Sequence, residues 1–280
     1  MKSTTPTLTH VIPSQGRDGV TAVTSLGDDV FVARWNSQQV EVYDAVTLTL
    51  QRRLTVTGLG ECPLGLAACP SNNCLYASDS QSVHRVELSG SNAVKKWSVA
   101  SSPRGLSVNN VHNLIVACRH ANKLQEYTTH GSLVREICLQ AGVTEPYHAI
   151  QLSTGDYVVS QCTSFGNFSL WTSSADVIVV GVDEQVVCSY GQSQTSDVGH
   201  MNNAWGLAVT KNDDILVADT DNHRILSINS SLGSIQELAL SVDGGIKQPR
   251  GLCLDESRGR LYIGECGGKG RVLVFDGVYV

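Results

Sequence analysis

The sequence predicts an all-β protein, a six-bladed β-propeller of four-stranded antiparallel blades. Three observations predict this fold. Short runs rich in β-branched and aromatic residues alternate with Gly, Asn, Asp and Ser turns, and no stretch keeps the 3.6-residue period of a helix. One pattern of about four such runs recurs at intervals of 40 to 57 residues, and six copies fill the 280-residue chain. A period of ~40–50 residues with four strands is typical of a propeller blade.

The repeat unit is clearest in its fifth copy. An apolar run at 205–209 (WGLAV) is followed by a polar turn at 211–214, by a second run at 215–219 (ILVAD), and by a third that begins at 221–225 (DNHRI). Because each run is about five residues long and is bounded by turn-forming residues, each predicts one strand.

The other copies repeat this pattern with more variation, and the first is the most degenerate. In each copy a small residue near the start of the innermost strand anchors the alignment, and the anchors are Gly19, Gly65, Gly105, Ala149, Gly206 and Gly251. Successive anchors are separated by 46, 40, 44, 57 and 45 residues, so the six units predict six blades.

The two ends of the chain predict how the ring closes. The last copy supplies three strand-like runs before Val280, one short of a blade, and a strand-like run at 7–12 (TLTHVI) precedes the first copy. We therefore expect the N-terminal run to complete the last blade, so that residues 1–280 form a single domain. Closure of this kind removes an exposed sheet edge.

Composition limits the classes of function. The net charge of −6 at pH 7 argues against a protein held mainly by phosphate backbones, although it allows a local basic patch. No run approaches the ~18 consecutive apolar residues of a membrane helix, so we expect no membrane contact. The nine cysteines are odd in number and contain no C-x-x-C pair, which predicts reduced thiols and a cytoplasmic location.

Two of the copies resemble a known family. Residues 206–209 (GLAV) with 218–225 (ADTDNHRI), and residues 249–252 (PRGL) with 261–265 (LYIGE), are similar to the NHL repeat. The resemblance implies a six-bladed propeller, of the kind found at the C-terminus of tripartite-motif ubiquitin ligases, where it binds RNA or protein. Because no zinc-finger cysteine spacing occurs, the sequence corresponds to such a propeller alone, either as a complete protein or as part of a longer one.

The resemblance also implies which residues share the recognition face, here called the top face. The loops that enter the innermost strands and those that leave the second strands lie on that face. The loops that enter the innermost strands place six residues around the channel mouth: Asp18, Leu64, Arg104, His148, Trp205 and Arg250. The residues at the ends of the second strands are Arg34, Asp79, Cys118, Gln161, Asp219 and Glu265.

Within these sets, cations and aromatic rings are the candidate binding residues. Arg104 and Arg250 share one repeat position and suit phosphate or carboxylate, unless each pairs with an acid of a neighbouring blade. Trp205 offers a stacking surface or packs at the rim. Arg34, Arg119 and His148 complete the predicted partner-binding face. The acids Asp79, Asp219 and Glu265 are expected to hold their own turns rather than to bind a partner.

The fourth unit is about a dozen residues longer than the others. Its extra segment, 163–175, contains Phe165, Phe168 and Trp171, which are costly in solvent unless they pack or bind. The segment either folds back onto the rim or forms a lid that contacts a partner, and we include the three aromatic residues among the candidate binding residues.

No catalytic motif emerges from the sequence. There is no G-x-S-x-G, H-E-x-x-H or Walker sequence, and the eight histidines occupy different repeat positions. We therefore predict a non-enzymatic module with no catalytic residue, metal or small-molecule cofactor, which binds a protein or peptide and could serve substrate recognition in a ubiquitin ligase. Single-stranded RNA binding is the alternative. A metal-dependent lyase or hydrolase is the second alternative, because similar propellers include metal-dependent lyases.

Overall fold

The structure is a computed structural model that describes residues 5–14, 16, 18–90, 92–99, 101–140, 143–163, 174–190, 198–229 and 233–278. Its 24 strands form six four-stranded antiparallel sheets. The helical content of the described residues is one 3-10 turn, Arg119–Ala121, so none of them forms a helix that could cross a membrane. The six-bladed all-β fold predicted from the sequence is confirmed.

Each sheet is one blade, and strands follow one another outwards from the channel. Blade 1 is β2 (Val20–Leu26), β3 (Asp29–Arg34), β4 (Gln39–Asp44) and β5 (Leu50–Thr55). Blade 2 is β6 (Gly65–Cys69), β7 (Cys74–Ser78), β8 (Ser82–Glu87) and β9 (Val94–Ser98). Blade 3 is β10 (Pro103–Val108), β11 (Leu114–Cys118), β12 (Lys123–Tyr127) and β13 (Leu133–Cys138).

The remaining blades continue the ring. Blade 4 is β14 (Pro146–Gln151), β15 (Tyr157–Thr163), β16 (Ser174–Val180) and β17 (Val186–Tyr190). Blade 5 is β18 (Ala204–Val209), β19 (Ile215–Asp219), β20 (Arg224–Ile228) and β21 (Ile235–Glu237). Blade 6 is β22 (Pro249–Asp255), β23 (Arg260–Glu265), β24 (Val272–Asp276) and, from the other end of the chain, β1 (Thr7–Ile12).

The N-terminal strand closes the ring as the sequence predicts. β1 pairs antiparallel with β24, with Leu8 opposite Phe275 and Val11 opposite Leu273. Ile12 is buried and packs in the cluster that joins blade 6 to blade 1. The last blade therefore obtains its outer strand from the start of the chain. The two ends of the chain are joined in one sheet, and this pairing closes the ring.

The hydrophobic core lies between the blades rather than at the centre of the ring. Six clusters of buried residues each join two adjacent blades. For example, Val158 and Val177 of blade 4 pack in one cluster with Val217 and Leu226 of blade 5. Both faces of each blade are thus covered, which explains why the second and third strands are buried along most of their length.

The innermost strands come unusually close together around the channel. A Cβ atom at Gly206 would lie 2.2 Å from the carbonyl oxygen of Arg250, and one at Gly105 would lie 2.6 Å from that of Tyr147. Real Cβ atoms do not approach backbone atoms this closely, so glycine is required at these two positions, where one innermost strand crosses the next. The anchors found in the sequence at these sites therefore mark contacts between blades.

The innermost strands also share an irregularity at their top ends. In blades 1, 3, 4, 5 and 6 the register between the first and second strands shifts just after the strand begins. A β-bulge of this kind turns a side chain away from the regular alternation of the strand. It does so here at equivalent positions around the channel mouth.

We expect Gly206→Ala to destabilise the ring, because its methyl group would collide with the backbone of blade 6 rather than with a movable side chain. The expected loss is about 2–4 kcal/mol in the free energy of unfolding, as for other overpacked cores. Urea denaturation followed by circular dichroism measures it. The control is Gly16→Ala, where the nearest atom is an Asp18 side-chain oxygen at 3.5 Å. Equal stability of the two variants would contradict this account of the glycines.

Candidate functional site at the channel mouth

One residue of each blade lies at the mouth of the channel. In blades 1, 3, 4, 5 and 6 the bulge brings it there, and in blade 2 it is the residue that precedes β6. These residues are Thr21, Leu64, Arg104, Tyr147, Trp205 and Arg250, and all six line one cavity. The repeat alignment predicts Asp18 and His148 at the mouth in blades 1 and 4. The positions equivalent to Arg104 and Arg250 are instead Thr21 and Tyr147, because the alignment was anchored on the small residues Gly19 and Ala149. His148 lines the same cavity one residue further along its strand.

Arg250 lies between two tryptophan rings. Its Cζ atom is 3.4 Å from the ring centroid of Trp205 and 4.7 Å from that of Trp35, distances at which a cation and an aromatic face attract each other. Trp35 reaches the mouth from the turn after β3, and its indole Nε1–H donates to Sγ of Cys266 at 3.2 Å. The guanidinium plane of Arg250 is thereby fixed from both sides.

The contacts continue from Trp205 into the next blades. The ring of Trp205 stacks on that of Tyr147, with centroids 4.9 Å apart and planes inclined by 19°. Arg119 and Arg104 approach the Tyr147 ring at 5.2 and 6.0 Å. We call this continuous set the mouth stack, and its members are Trp35, Arg250, Trp205, Tyr147, Arg119 and Arg104.

The electrostatics of the mouth stack are dominated by cations. Arg119 forms an ion pair with Glu145 at 2.6 Å. Burial, with a smaller contribution from the nearby charge of Arg104, lowers the pKa of Arg250 to about 10. Burial likewise lowers the pKa of Arg104, with the charge of Arg119 next. All three arginines remain charged at pH 7, which makes the mouth locally basic on a chain of net charge −6.

Hydroxyl groups from neighbouring blades hold the bulged residues in place. Ser78 donates to the carbonyl oxygen of Arg104 and Ser160 to that of Trp205, each at 2.7 Å. Thr220 donates to the carbonyl oxygen of Pro249, which precedes Arg250, at 2.7 Å. In each case a residue near the end of a second strand fixes the innermost strand of the next blade, so the backbone of the mouth stack is positioned by the ring itself.

His148 lies on the wall of the channel, one residue beyond Tyr147, where four other blades have glycine. Its Nδ1 accepts the backbone N–H of Leu207 at 3.1 Å, and its Nε2 lies 3.0 Å from the carbonyl oxygen of Leu106, to which it donates. The neutral imidazole thus bridges blades 3 and 5. Burial lowers its pKa to about 4, so it is uncharged at pH 7. Its predicted contact with a partner stays a prediction.

The acids at the ends of the second strands hold their own blades. Buried Asp219 accepts from Arg224 Nε at 2.7 Å and from the backbone N–H of Asn202 at 2.6 Å. Asp79 lies 2.9 Å from His84 Nε2, and Glu265 accepts from Arg271 Nε at 2.7 Å. The expected structural role of these three acids agrees with their contacts.

In blade 1 the residue at the end of the second strand is a base, Arg34, and its partner on the third strand is an acid, Glu41. Arg34 is buried, donates to Glu41 at 2.7 Å, and also donates to the carbonyl oxygen of Gly270 in blade 6 at 2.6 Å. Its contacts are internal, so Arg34 lies near the predicted face without lining the cavity. Phe165, Phe168 and Trp171 of the fourth-unit insertion lie outside the described residues.

Two members of the site escape the sequence argument. Tyr147 was missed because its unit was aligned on the small residue Ala149, whereas His148 occupies the position that is glycine in blades 2, 3, 5 and 6. Trp35 is not one of the two, since its position next to Arg34 associates it in the sequence with the cationic residues of this face. Cys266, which follows the buried Glu265, gives no signal in the sequence, although its sulfur contacts both Trp35 and Arg250.

The cavity beneath the mouth stack is small. Its volume is about 60 Å³, and its walls are largely the innermost-strand backbone at Gly65, Gly105, Gly206 and Gly251. Pockets that enclose drug-sized ligands measure roughly 300–1,000 Å³. The cavity can therefore take a small polar group or the end of a side chain. Among the described residues no group of three or more His, Cys, Asp or Glu is arranged to hold a metal ion.

Comparison with known proteins supports the repeat family in one unit. Residues 201–226, which span β18 and β19 of blade 5, match the family model of the NHL repeat. This match supports the resemblance to NHL-repeat proteins, whereas the finer resemblance to tripartite-motif ubiquitin ligases is not confirmed. No curated protein matches the chain.

Solved structures resemble the whole ring. Hydrazine synthase from Kuenenia stuttgartiensis is 13% identical with a TM-score of 0.67, over 96% of this chain and 98% of that one. Virginiamycin B lyase from Staphylococcus aureus is 10% identical with a TM-score of 0.66, over 95% and 98%. A streptogramin B lyase is 13% identical with a TM-score of 0.64, over 95% and 96%. Likeness at these identities establishes the fold alone.

The state of His148 predicts a specific loss of stability in weak acid. An unfolded histidine takes up its proton near pH 6.5, whereas folded His148 does so near pH 4, so the unfolded state binds more protons between these values. The free energy of unfolding should therefore fall as the pH drops from 6.5 to 4, by at most about 3 kcal/mol.

The control for this prediction is His148→Gln, whose amide offers one donor and one acceptor but does not titrate. Urea denaturation at intervals between pH 7 and 4 should show a shallower decline in the variant. The window is separate from that of Asp79, whose pKa is lowered to about 2 and whose contribution is lost only below the ordinary value of 3.8. Parallel declines in the two proteins would contradict the assignment.

Proposed function

We propose that the chain is a non-catalytic recognition propeller that binds a protein or peptide partner on its top face. The observation that supports this function best is the mouth stack, in which the Arg250 guanidinium contacts two tryptophan rings and two further arginines contact the Tyr147 ring at the open end of the channel. Aromatic residues and arginine are the side chains that contribute most to protein interfaces. A propeller fold and an NHL repeat are consistent with an interaction module in general.

The small cavity supports binding of an extended partner. A volume of about 60 Å³ cannot enclose a whole small-molecule ligand, but it can receive one group that projects from a chain lying across the mouth. The rings of Trp35, Tyr147 and Trp205 would then form the rim that excludes water around that group.

RNA binding by the same face is less well supported. Because blades 4, 5 and 6 follow one another around the ring, Trp205 lies between Tyr147 and Arg250, and both contacts are made to its ring. A nucleobase needs an open aromatic face on which to stack. The net charge of −6 also disfavours a protein held by phosphates.

Catalysis is supported only by the likeness to structures named as lyases and as a synthase. The histidine that lines the channel, His148, uses both ring nitrogens to bridge neighbouring blades. A general base needs a nitrogen free to accept a proton, so His148 is better suited to structure than to acid–base chemistry.

Two finer points belong to the same proposal. The resemblance to tripartite-motif ligases extends the proposed function to substrate recognition within a ubiquitin ligase.

The free thiols of the eight cysteines whose side chains are described support a reducing compartment, and we place the module in the cytoplasm.

Selection of a phage-displayed library of random linear peptides against the chain tests the proposal. We expect enriched peptides whose affinity, measured by fluorescence anisotropy, falls at least tenfold in Tyr147→Ala, because the variant removes the ring that supports Trp205. The control is Val111→Asp in the β10–β11 turn, at the opposite end of the blade, where Val111 is 67% exposed. Thermal unfolding of both variants verifies that they fold.

Either of two results would overturn this function. One is the absence of any enriched peptide together with binding of a random single-stranded RNA pool that weakens with added salt. The other is enriched peptides that bind Tyr147→Ala unchanged and lose affinity for Val111→Asp, which would move the binding surface to the opposite face.

A further inference from the structure

Two arginines of this chain differ from all its other described arginines. Twelve of the thirteen arginines are described, and ten of them have a carboxylate oxygen within 4 Å of a guanidinium nitrogen. The two without such a partner among the described residues are Arg104 and Arg250. Both occupy the same repeat position, and both line the cavity at the channel mouth.

Arg250 is the more deeply buried of the two. The residue is only 6% exposed. Among the described residues, its guanidinium donates a hydrogen bond to the sulfur of Cys266 at 3.9 Å, which is a long contact to a weak acceptor. A buried charge without a counter-charge costs several kcal/mol. Contacts with Trp35 and Trp205 offset part of that cost and fix the guanidinium plane, but they satisfy none of its N–H donors.

Other donors around the same cavity also lack acceptors. The Nε–H of Arg104 and the indole Nε1–H of Trp205 are buried, and neither has a hydrogen-bond partner among the described residues. A buried donor left without an acceptor costs ~1–3 kcal/mol. The cavity therefore combines two positive charges and several unsatisfied donors, which is the environment that an anion requires.

The size and shape of the cavity select among anions. About 60 Å³ bounded by glycine backbone and by Leu66 and Leu106 accepts a small planar group attached to an aliphatic stem. The fork of an arginine matches the two oxygens of a carboxylate. Aspartate and glutamate carry this group at the end of one or two methylenes, short enough to enter from a chain lying on the rim.

We propose that Arg250 and Arg104 form a carboxylate-binding site that anchors an aspartate or glutamate side chain of the peptide partner at the channel mouth. The site depends on the proposed function, since it names the chemistry by which the top face selects its partner. Arg250 supplies the fixed guanidinium fork, Arg104 supplies the second charge, and the mouth stack shields both from water. Peptides without an acidic residue at the anchoring position should bind weakly.

Titration of the full-length chain with short peptides, followed by NMR, tests the site directly. The probes are blocked Gly-Gly-Glu-Gly-Gly, its Gln counterpart, pentaglycine with a free C-terminus, and inorganic phosphate, all at equal ionic strength. We observe the arginine Nε–H and tryptophan indole N–H signals. The Glu peptide should shift the signals of Arg250 and Trp205 and bind at least tenfold more tightly than the Gln peptide.

Variants connect this binding to the two arginines. Arg250→Met and Arg104→Met should each weaken the Glu peptide at least tenfold, and Arg250→Lys should weaken it less, because the charge stays while the fork is lost. The control is Arg52→Met. This variant removes the same charge from an exposed arginine on β5, the outer strand of blade 1, where Arg52 pairs with Asp29 of β3. Thermal unfolding identifies any variant that fails to fold, and Arg104→Met gives a second result if Arg250→Met does.

Each contrary result has one meaning. Equal binding of the Glu and Gln peptides, or full binding by Arg250→Met, overturns the carboxylate site. Tighter binding of phosphate or of the free C-terminus overturns the side-chain assignment. If the library yields top-face peptides that need no acidic residue, the site fails and the proposed function stands. If the Glu peptide binds through Arg250 but the library yields none, the site stands and the peptide function fails.

Discussion

The close crossing of the innermost strands is the constraint on which the rest of the structure depends. At Gly206 the backbone of blade 6 lies where any side chain would begin, and at Gly105 the backbone of blade 4 does the same. These contacts keep the channel narrow. The innermost strands cannot move apart from the neighbouring blades without losing the hydrogen bonds that Ser78, Ser160 and Thr220 donate. A narrow channel limits the size of the group that can enter it, and the cavity lined by the mouth residues measures about 60 Å³.

Blade 4 departs from this rule, and the departure explains part of the site. Its innermost strand has His148 where blades 2, 3, 5 and 6 have glycine, and the imidazole fills the channel wall while bonding to Leu106 and Leu207. The neutral ring adds no charge to the cavity. Among the described residues that line the cavity, the positive charges are those of Arg104 and Arg250, and they persist at pH values where a histidine would lose its proton.

The sequence predicts the fold well and the site in part, for a physical reason. Strand runs, turn residues and the glycine spacing are local or periodic, so six blades and the closing strand at 7–12 could be inferred. In the fourth unit His148 replaces the glycine of blades 2, 3, 5 and 6, so the alignment took Ala149 as the small anchor, and Tyr147 was missed in favour of His148. Contacts between distant segments, such as Cys266 with Trp35, carry no pattern along the chain.

The pairing of charges separates Arg104 and Arg250 from the other described arginines. The chain has 26 acidic residues for 20 basic ones, so a shortage of carboxylates does not explain why these two have no carboxylate partner among the described residues. At the strand ends the same chemistry is satisfied internally, as in Arg224 with Asp219 and Arg34 with Glu41. A buried cation is retained without an internal partner only where another contact stabilises it. The rings of Trp35 and Trp205 do this for Arg250, and contacts with an aromatic face use none of its hydrogen-bond donors.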